Sequence, residues 1–265
     1  MLRSIQSFPY HLVEPSPYPI ITSFALLTTT LSGVISIHGF SYGPILVLLG
    51  FLSTLLCITL WFKDITREGT FSGNHTIAVQ KGLNLGFILF VASEVIFFVS
   101  IFWAYFHSAL APTVDLGSIW PPAGIEPLNP FEIPLLNTVL LLSSGATVTY
   151  AHHCLIQGNR AGTIYGLIGT IVLAIAFTSL QGYEYVNASF TIADSAYGST
   201  FFIATGFHGL HVIIGTIFIT VSLIRIIAYH FTDHHHVGLE VSILYWHFVD
   251  VVWLFLYACV YLWAY

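Results

Sequence analysis

Residues 82–106 read GLNLGFILFVASEVIFFVSIFWAYF, and Glu94 is the only charged side chain among them. As a helix this stretch would run about 37 Å at ~1.5 Å per residue, enough to cross the ~30 Å hydrocarbon core of a bilayer. An ionised carboxylate in the middle of such a span costs at least about 2.5 kcal/mol. Glu94 must therefore be neutral, paired or beside water, and each case makes it a candidate functional residue.

The rest of the chain supports a membrane reading. Of its 265 residues, 56% are hydrophobic and only 7% are charged. A soluble domain carries about 25% charged residues, so this chain could not keep a water-facing surface. Six Lys and Arg residues in all cannot make a phosphate-tracking stripe, which excludes nucleic acid as a partner. Cys57, Cys154 and Cys259 all fall in apolar stretches without a CxxC spacing and read as small buried hydrophobes. The first twenty residues hold no Arg-rich amphipathic stretch and no small-residue cleavage site. Insertion where the chain is made is therefore expected.

Seven segments are long and apolar enough to span: 18–37, 42–62, 82–106, 133–155, 161–183, 197–224 and 241–263. The expected fold class is an all-α polytopic membrane protein. A polar hinge at 63–81 would divide one membrane domain, 1–265, into a two-helix bundle (1–62) and a five-helix bundle (82–265). The first two spans are diluted by Gly33, Gly43 and Gly50, a residue common in membrane helices. Charge placement agrees with seven crossings. Arg3, Lys63, Arg67, Lys81, Arg160 and Arg225 all fall on the side of the N-terminus, side A. Side B receives Asp115, Glu126, Glu132, Glu184 and Asp194 and no basic residue. The positive-inside rule then puts the N-terminus on the cytoplasm-like or matrix side. The proline-rich loop 108–130, with Trp120 and Ile125, is expected to pack as an ordered lid on side B, because irregular backbone near lipid must be covered.

Depth arithmetic finds a partner for Glu94. It lies thirteen residues beyond Lys81, about 20 Å along the helix. His211 lies fourteen residues before Arg225, at a matching depth of about 21 Å. His208 is one turn deeper on the same face. A Glu94–His211 hydrogen bond is expected. Two roles fit it, a polar contact that holds two helices together or a part in proton or ligand traffic. His208 and His211 could also hold a metal or haem, but two histidines without further ligands at that depth are a weak set. His152 and His153 lie near the side A end of the fourth span, at a different depth. His234, His235 and His236 read as a solvated loop or headgroup contact. His247 and Asp250 form a pair at i,i+3 expected to face protein, and Glu184 is expected at the side B interface. Trp61, Lys63, Arg67, His75, Arg225 and His230 share the side A interface level. Such basic groups hold phospholipid headgroups or simply snorkel. The chain shows no Walker loop, GxGxxG, CxxCH or HExxH, and no nucleophile–base arrangement is evident.

Several long stretches carry a resemblance: PYHLVEPSPYPI at 9–20, WFKDITREGTFSGNHT at 61–76, VQKGLNLGFILFVASEVIFF at 79–98 and HSALAPTVDLGSIWPPAGI at 107–125. PLLNTVLLLSSGATVTYAHH at 134–153, FTIADSAYGSTFFIATGFHGLHVIIGT at 190–216 and WHFVDVVWLF at 246–255 continue it. Along essentially its whole length the chain resembles the haem–copper oxidase subunit 3 family in its mitochondrial form. The resemblance implies two-helix and five-helix bundles with a lipid-filled cleft, in the mitochondrial inner membrane, with the N-terminus in the matrix and the C-terminus in the intermembrane space. It implies a non-catalytic core subunit of the respiratory oxidase that passes electrons from cytochrome c to oxygen and pumps protons. Haem A and copper would lie in partner subunits and none in this chain. Subunits 1 and 2, accessory subunits, respiratory supercomplex neighbours and structural phospholipids are the implied partners. The family's intramembrane glutamate and partner histidine match Glu94 and His211. Its lipid-holding positions match Trp61, Arg67, His75 and Arg225, with Glu68 and His230 nearby. The chain departs from the family pattern at Phe62-Lys63, where Trp-Arg is usual, at Gly69, where Ser is usual, and at Asn74, where His is usual. Lys63 cannot reproduce an Arg fork on a phosphate.

Two rival classes remain open on residues alone. A stand-alone proton-coupled transporter or channel would use Glu94 and Asp250 as a relay, and needs a continuous polar path. A membrane enzyme would use the histidines as metal ligands.

Overall fold

The computed structural model describes residues 8–114 and 117–265; Arg3 and Asp115, counted in the charge pattern above, lie outside them. The helices are α1 (Tyr18–Ile37), α2 (Gly43–Thr70), α3 (Ile77–Leu110), α4 (Ile133–Ile156), α5 (Arg160–Asn187), α6 (Ala196–Ile227) and α7 (Val237–Leu256). The last runs on into a π-helical turn, Tyr257–Leu262. All seven are long and apolar enough to cross a membrane, and no strand occurs among the described residues. Helix is the expected solution where no water can satisfy backbone N–H and C=O groups.

The expected polar hinge at 63–81 shrinks to residues 71–76. Lys63, Asp64, Arg67 and Glu68 sit in the last turns of α2, because Lys, Arg and Glu are good helix formers. A helix does not end where hydropathy ends. Gly73, with φ +66°, supplies the left-handed residue that turns the chain. The five described basic residues flank only the α2–α3, α4–α5 and α6–α7 connections. The chain divides into two compact units, Met1–Leu83 and Asn84–Tyr265.

In the first unit α1 and α2 meet through small residues. Thr22, Ala25 and Ser32 of α1 are buried, as are Gly43, Gly50 and Thr54 of α2. A Cβ at Gly50 would fall 2.9 Å from the Thr29 backbone, and the Thr29 and Thr54 hydroxyls are 3.2 Å apart. Each hydroxyl has one hydrogen, so one of the two donates across the seam while the other donates to its own helix, Thr29 to the Ala25 carbonyl or Thr54 to that of Gly50. The glycines that dilute the hydropathy of these spans are therefore what lets the backbones approach. Gly33 is different, with open space around it.

In the second unit the same device joins α4 and α5. Gly162, Gly166, Thr170 and Ala174 recur every four residues on α5 and are buried. The Thr147 and Thr170 hydroxyls lie 2.8 Å apart. α7 docks differently, through two indoles. Trp246 Nε1 donates to Ser144 Oγ at 2.9 Å, and Trp253 Nε1 to Thr138 Oγ1 at 3.0 Å. Both rings are buried, so α7 occupies the core of this unit with its indole N–H groups satisfied. Asn159 caps α5 by accepting from the Gly162 N–H at 3.0 Å. Arg160 donates to the Ile227 carbonyl at 3.0 Å, at the C-terminal end of α6, where a cation is favoured.

The side B loop packs as a lid. Trp120 Nε1 donates to Tyr105 Oη at 3.3 Å, and its ring lies edge-on to Tyr197. Ser189 Oγ donates to the Glu126 carbonyl, and Tyr257 Oη to the Pro130 carbonyl.

The α4–α5 seam sets a test. A Cβ at Gly166 would lie 2.8 Å from Ala151 Cβ and 3.0 Å from the Thr147 carbonyl oxygen. Gly166→Leu is expected to cost about 1–3 kcal/mol or more by overpacking, seen as a lower thermal midpoint. Gly33→Leu, in open space, is expected to change it little.

Candidate functional site

One stripe of α3 faces protein in the second unit. Asn84, Phe87, Val91, Glu94, Phe98 and Tyr105 are buried or half-buried, whereas their neighbours Leu85, Ile88, Val95 and Ile96 are exposed. The spacing is that of one helical face. Glu94 sits in the middle of the stripe, and His211 of α6 meets it, with Nε2 2.8 Å from Glu94 Oε2. The Glu94 side chain is 23% exposed and that of His211 9%.

The other ring nitrogen fixes what this contact holds. His211 Nδ1 lies 2.7 Å from the Phe207 carbonyl oxygen. A carbonyl can only accept, so Nδ1 carries a hydrogen. A second proton then sits between Nε2 and Glu94, either on the carboxyl or on the imidazole. The pair thus holds one hydrogen between a carboxyl and an imidazole, midway along α3. Phe98 and Phe248 meet the imidazole edge-on, and Phe97 and Tyr245 stack near it at centroid distances of 6.3 and 6.1 Å. This aromatic cage keeps the local dielectric low, which strengthens the bond and raises the penalty for breaking it.

His208, expected on the same face as His211 and so beside the Glu94–His211 pair, does not join it. Its Nε2 donates to the Val249 carbonyl of α7 at 3.2 Å, and its ring packs on Phe177 and Trp253. Residues at i and i+3 are offset by about 60° around a helix. On α6 that offset separates a side chain facing α3 from one facing α7.

Other expectations are corrected. Glu184 is buried rather than interfacial, at 3% exposure. Its Oε1 accepts from Tyr261 Oη at 2.6 Å and Gln181 Nε2 at 3.4 Å, and Gln181 in turn accepts from Asn137 at 3.5 Å. Gln181 and Asn137 stand in apolar stretches and are the signal that could have revealed this cluster. Asp250 is buried, its Oδ2 3.5 Å from His247 Nδ1 and in the space that a side chain at Gly145 would fill. His247 itself is 44% exposed at the side chain, and its Nε2 reaches Thr149 Oγ1 at 3.2 Å. Cys154 is buried, while Cys57 and Cys259 are only partly so. Of the three loop histidines, His234 is exposed but His236 is buried.

The candidate headgroup residues fall in both units. In the first, Lys63 and Arg67 are exposed and Trp61, Glu68 and His75 half-buried. Glu68 Oε2 lies 3.9 Å from His11 Nδ1. The His75 ring occupies the space of a Cβ at Gly69, 2.6 Å from it; a serine there would push the ring away. In the second unit the Arg225 guanidinium lies 4.1 Å over the Phe231 ring. It also lies against Gly238, and the His230 N–H donates to the Arg225 carbonyl at 2.9 Å.

These features define a class: an all-α, multi-pass membrane protein with a caged carboxyl–imidazole pair and no assembled nucleophilic site among the described residues. The sequence profile described as cytochrome c oxidase subunit III matches residues 8–265. A Rhizopus stolonifer protein named cytochrome c oxidase subunit 3 is 68% identical over 264 residues, covering 100% of this chain and 94% of its own length. Its namesakes from Neurospora crassa and Emericella nidulans are 62% and 60% identical, with 100% and 99% of this chain covered and 98% of each relative. The chain belongs to the cytochrome c oxidase subunit III family. It is a subunit of cytochrome c oxidase, and its relatives fit a chain without a redox cofactor of its own.

A double-mutant cycle over Glu94→Ala and His211→Ala is expected to return a coupling of about 1 kcal/mol in the stability of the assembled complex. Additive effects would mean that the bond contributes nothing to docking α3.

Proposed function

We propose that the chain is a redox-silent core subunit in the mitochondrial inner membrane, with its N-terminus in the matrix and its C-terminus in the intermembrane space. It stabilises subunit 1, holds structural phospholipids, and supports proton uptake by that catalytic subunit. Subunit 2, accessory subunits and supercomplex neighbours are its further contacts. The observation that carries this reading is the 2.8 Å contact between His211 Nε2 and Glu94 Oε2. It lies on the helix with the least buried span of the seven. A proton held there can exchange with a neighbouring subunit's uptake path without the chain having a path of its own.

The transporter reading is weaker. Among the described residues Glu94 is partnered by His211, Asp250 by His247 on the same helix, and the acid Glu184 by Tyr261 and Gln181. Among the described residues, the three acids share no hydrogen-bond partner that would join them into one relay.

For phospholipid, Arg67 and Lys63 in the first unit and Arg225 in the second offer cations toward the ends of α2 and α6, with Trp61, Glu68, His75 and His230 near them in sequence. Cations at that level suit anionic headgroups. The tagged chain, purified gently, is expected to bring haem A absorbance and phospholipid phosphorus with it, and Arg225→Ala is expected to lower the phosphorus. A chain that purifies alone and carries protons across vesicles contradicts the proposal, and unchanged phosphorus removes Arg225 from the lipid site.

A further inference from the structure

We propose that His152, His236 and Glu240 form a binding site for a divalent transition-metal ion, zinc in the first instance. One donor atom from each lies within 4.8 Å of the others. The three come from separate places in the sequence: the end of α4, the connection after α6, and the first turn of α7. Half of the site is already formed. His236 Nε2 and Glu240 Oε1 are 3.4 Å apart, the edge of a tetrahedron with metal–ligand bonds of about 2.1 Å.

The surroundings prepare each donor. His236 is 6% exposed, and its Nδ1 lies 3.0 Å from the Thr232 carbonyl. That bond puts the hydrogen on Nδ1 and leaves the Nε2 lone pair free to ligate, the usual outer-shell arrangement for a metal-bound histidine. Glu240 Oε2 accepts from Asn84 Nδ2 at 3.3 Å, which orients the carboxylate and leaves Oε1 toward His236. His152 Nε2 is a buried nitrogen without a hydrogen-bond partner. Its ring meets that of His236 edge-on at 5.4 Å. A buried nitrogen lacking a partner is costly, and a cation among the three groups removes that cost. Two imidazoles and one carboxylate suit zinc with a water in the fourth position. The same set also suits ferrous iron, which elemental analysis distinguishes. A bound ion would staple α4 to the start of α7 and fix the connection that carries His236.

The test uses the assembled oxidase, stripped with chelator and then equilibrated with zinc chloride. Anomalous diffraction at the zinc edge is expected to show a peak bounded by His152, His236 and Glu240. A zinc-saturated complex with no peak there overturns the proposal. Equilibrium dialysis adds stoichiometry. Glu240→Gln and His236→Gln are each expected to lower bound zinc by about one ion per chain, whereas His153→Gln, at the exposed neighbour, leaves it unchanged. Equal binding by all variants also overturns the site. If the variants fail to assemble, the diffraction experiment on the unaltered chain decides alone. Iron in place of zinc in the freshly purified complex would keep the site and change its metal.

Discussion

A carboxylate cannot face hydrocarbon, and on α3 the hydrogen bond between Glu94 and His211 is what prevents it. The bond sets the rotation of α3: with Glu94 turned toward α6, Phe87, Phe98 and Tyr105 turn inward with it. A rotation of half a turn would expose the acid and bury the Val95–Ile96 face instead. In water such a choice is weakly enforced. In lipid the alternative costs at least about 2.5 kcal/mol, so one polar pair fixes the register of a long helix.

The spans of the second unit pack by two chemistries. α4 and α5 approach closely through Gly162, Gly166 and Thr170 and are tied by hydroxyl pairs. α3 instead meets α6 and α7 through aromatic rings, Phe87 on Phe218, Phe97 on Phe207 and Phe98 on Phe248. Large rings hold the backbones apart, and the polar ties across that seam, Glu94–His211 and Asn84–Glu240, need long side chains to reach.

Much of this was legible in the sequence because a bilayer limits the solutions. Seven apolar stretches form seven helices, and equal depth along two of them brings Glu94 and His211 together. What sequence reading missed has physical causes. Hydropathy places a hinge at 63–81, but helix propensity carries α2 through Thr70. His208 shares a face with His211 only to within about 60°, and that angle sends it to α7. Glu184 reads as interfacial by position, yet Tyr261 and Gln181 from distant segments bury it. His152 and His236 are separated by two whole helices in sequence, and only the close packing of α4 on α7 brings their rings to 5.4 Å.

The pair at Glu94 could act as glue alone or as a proton store for a neighbouring subunit, and glutamine separates the two. Glu94→Gln keeps a side chain that hydrogen-bonds His211 while removing the carboxyl that exchanges a proton. The direct measurement is proton translocation by the reconstituted oxidase, followed over many turnovers. The proton-store reading expects the Gln variant to retain the haem spectrum and thermal stability of the unaltered complex but to lose pumping in far fewer turnovers. Pumping that lasts as long as in the unaltered complex would contradict it and leave Glu94–His211 as a structural contact only.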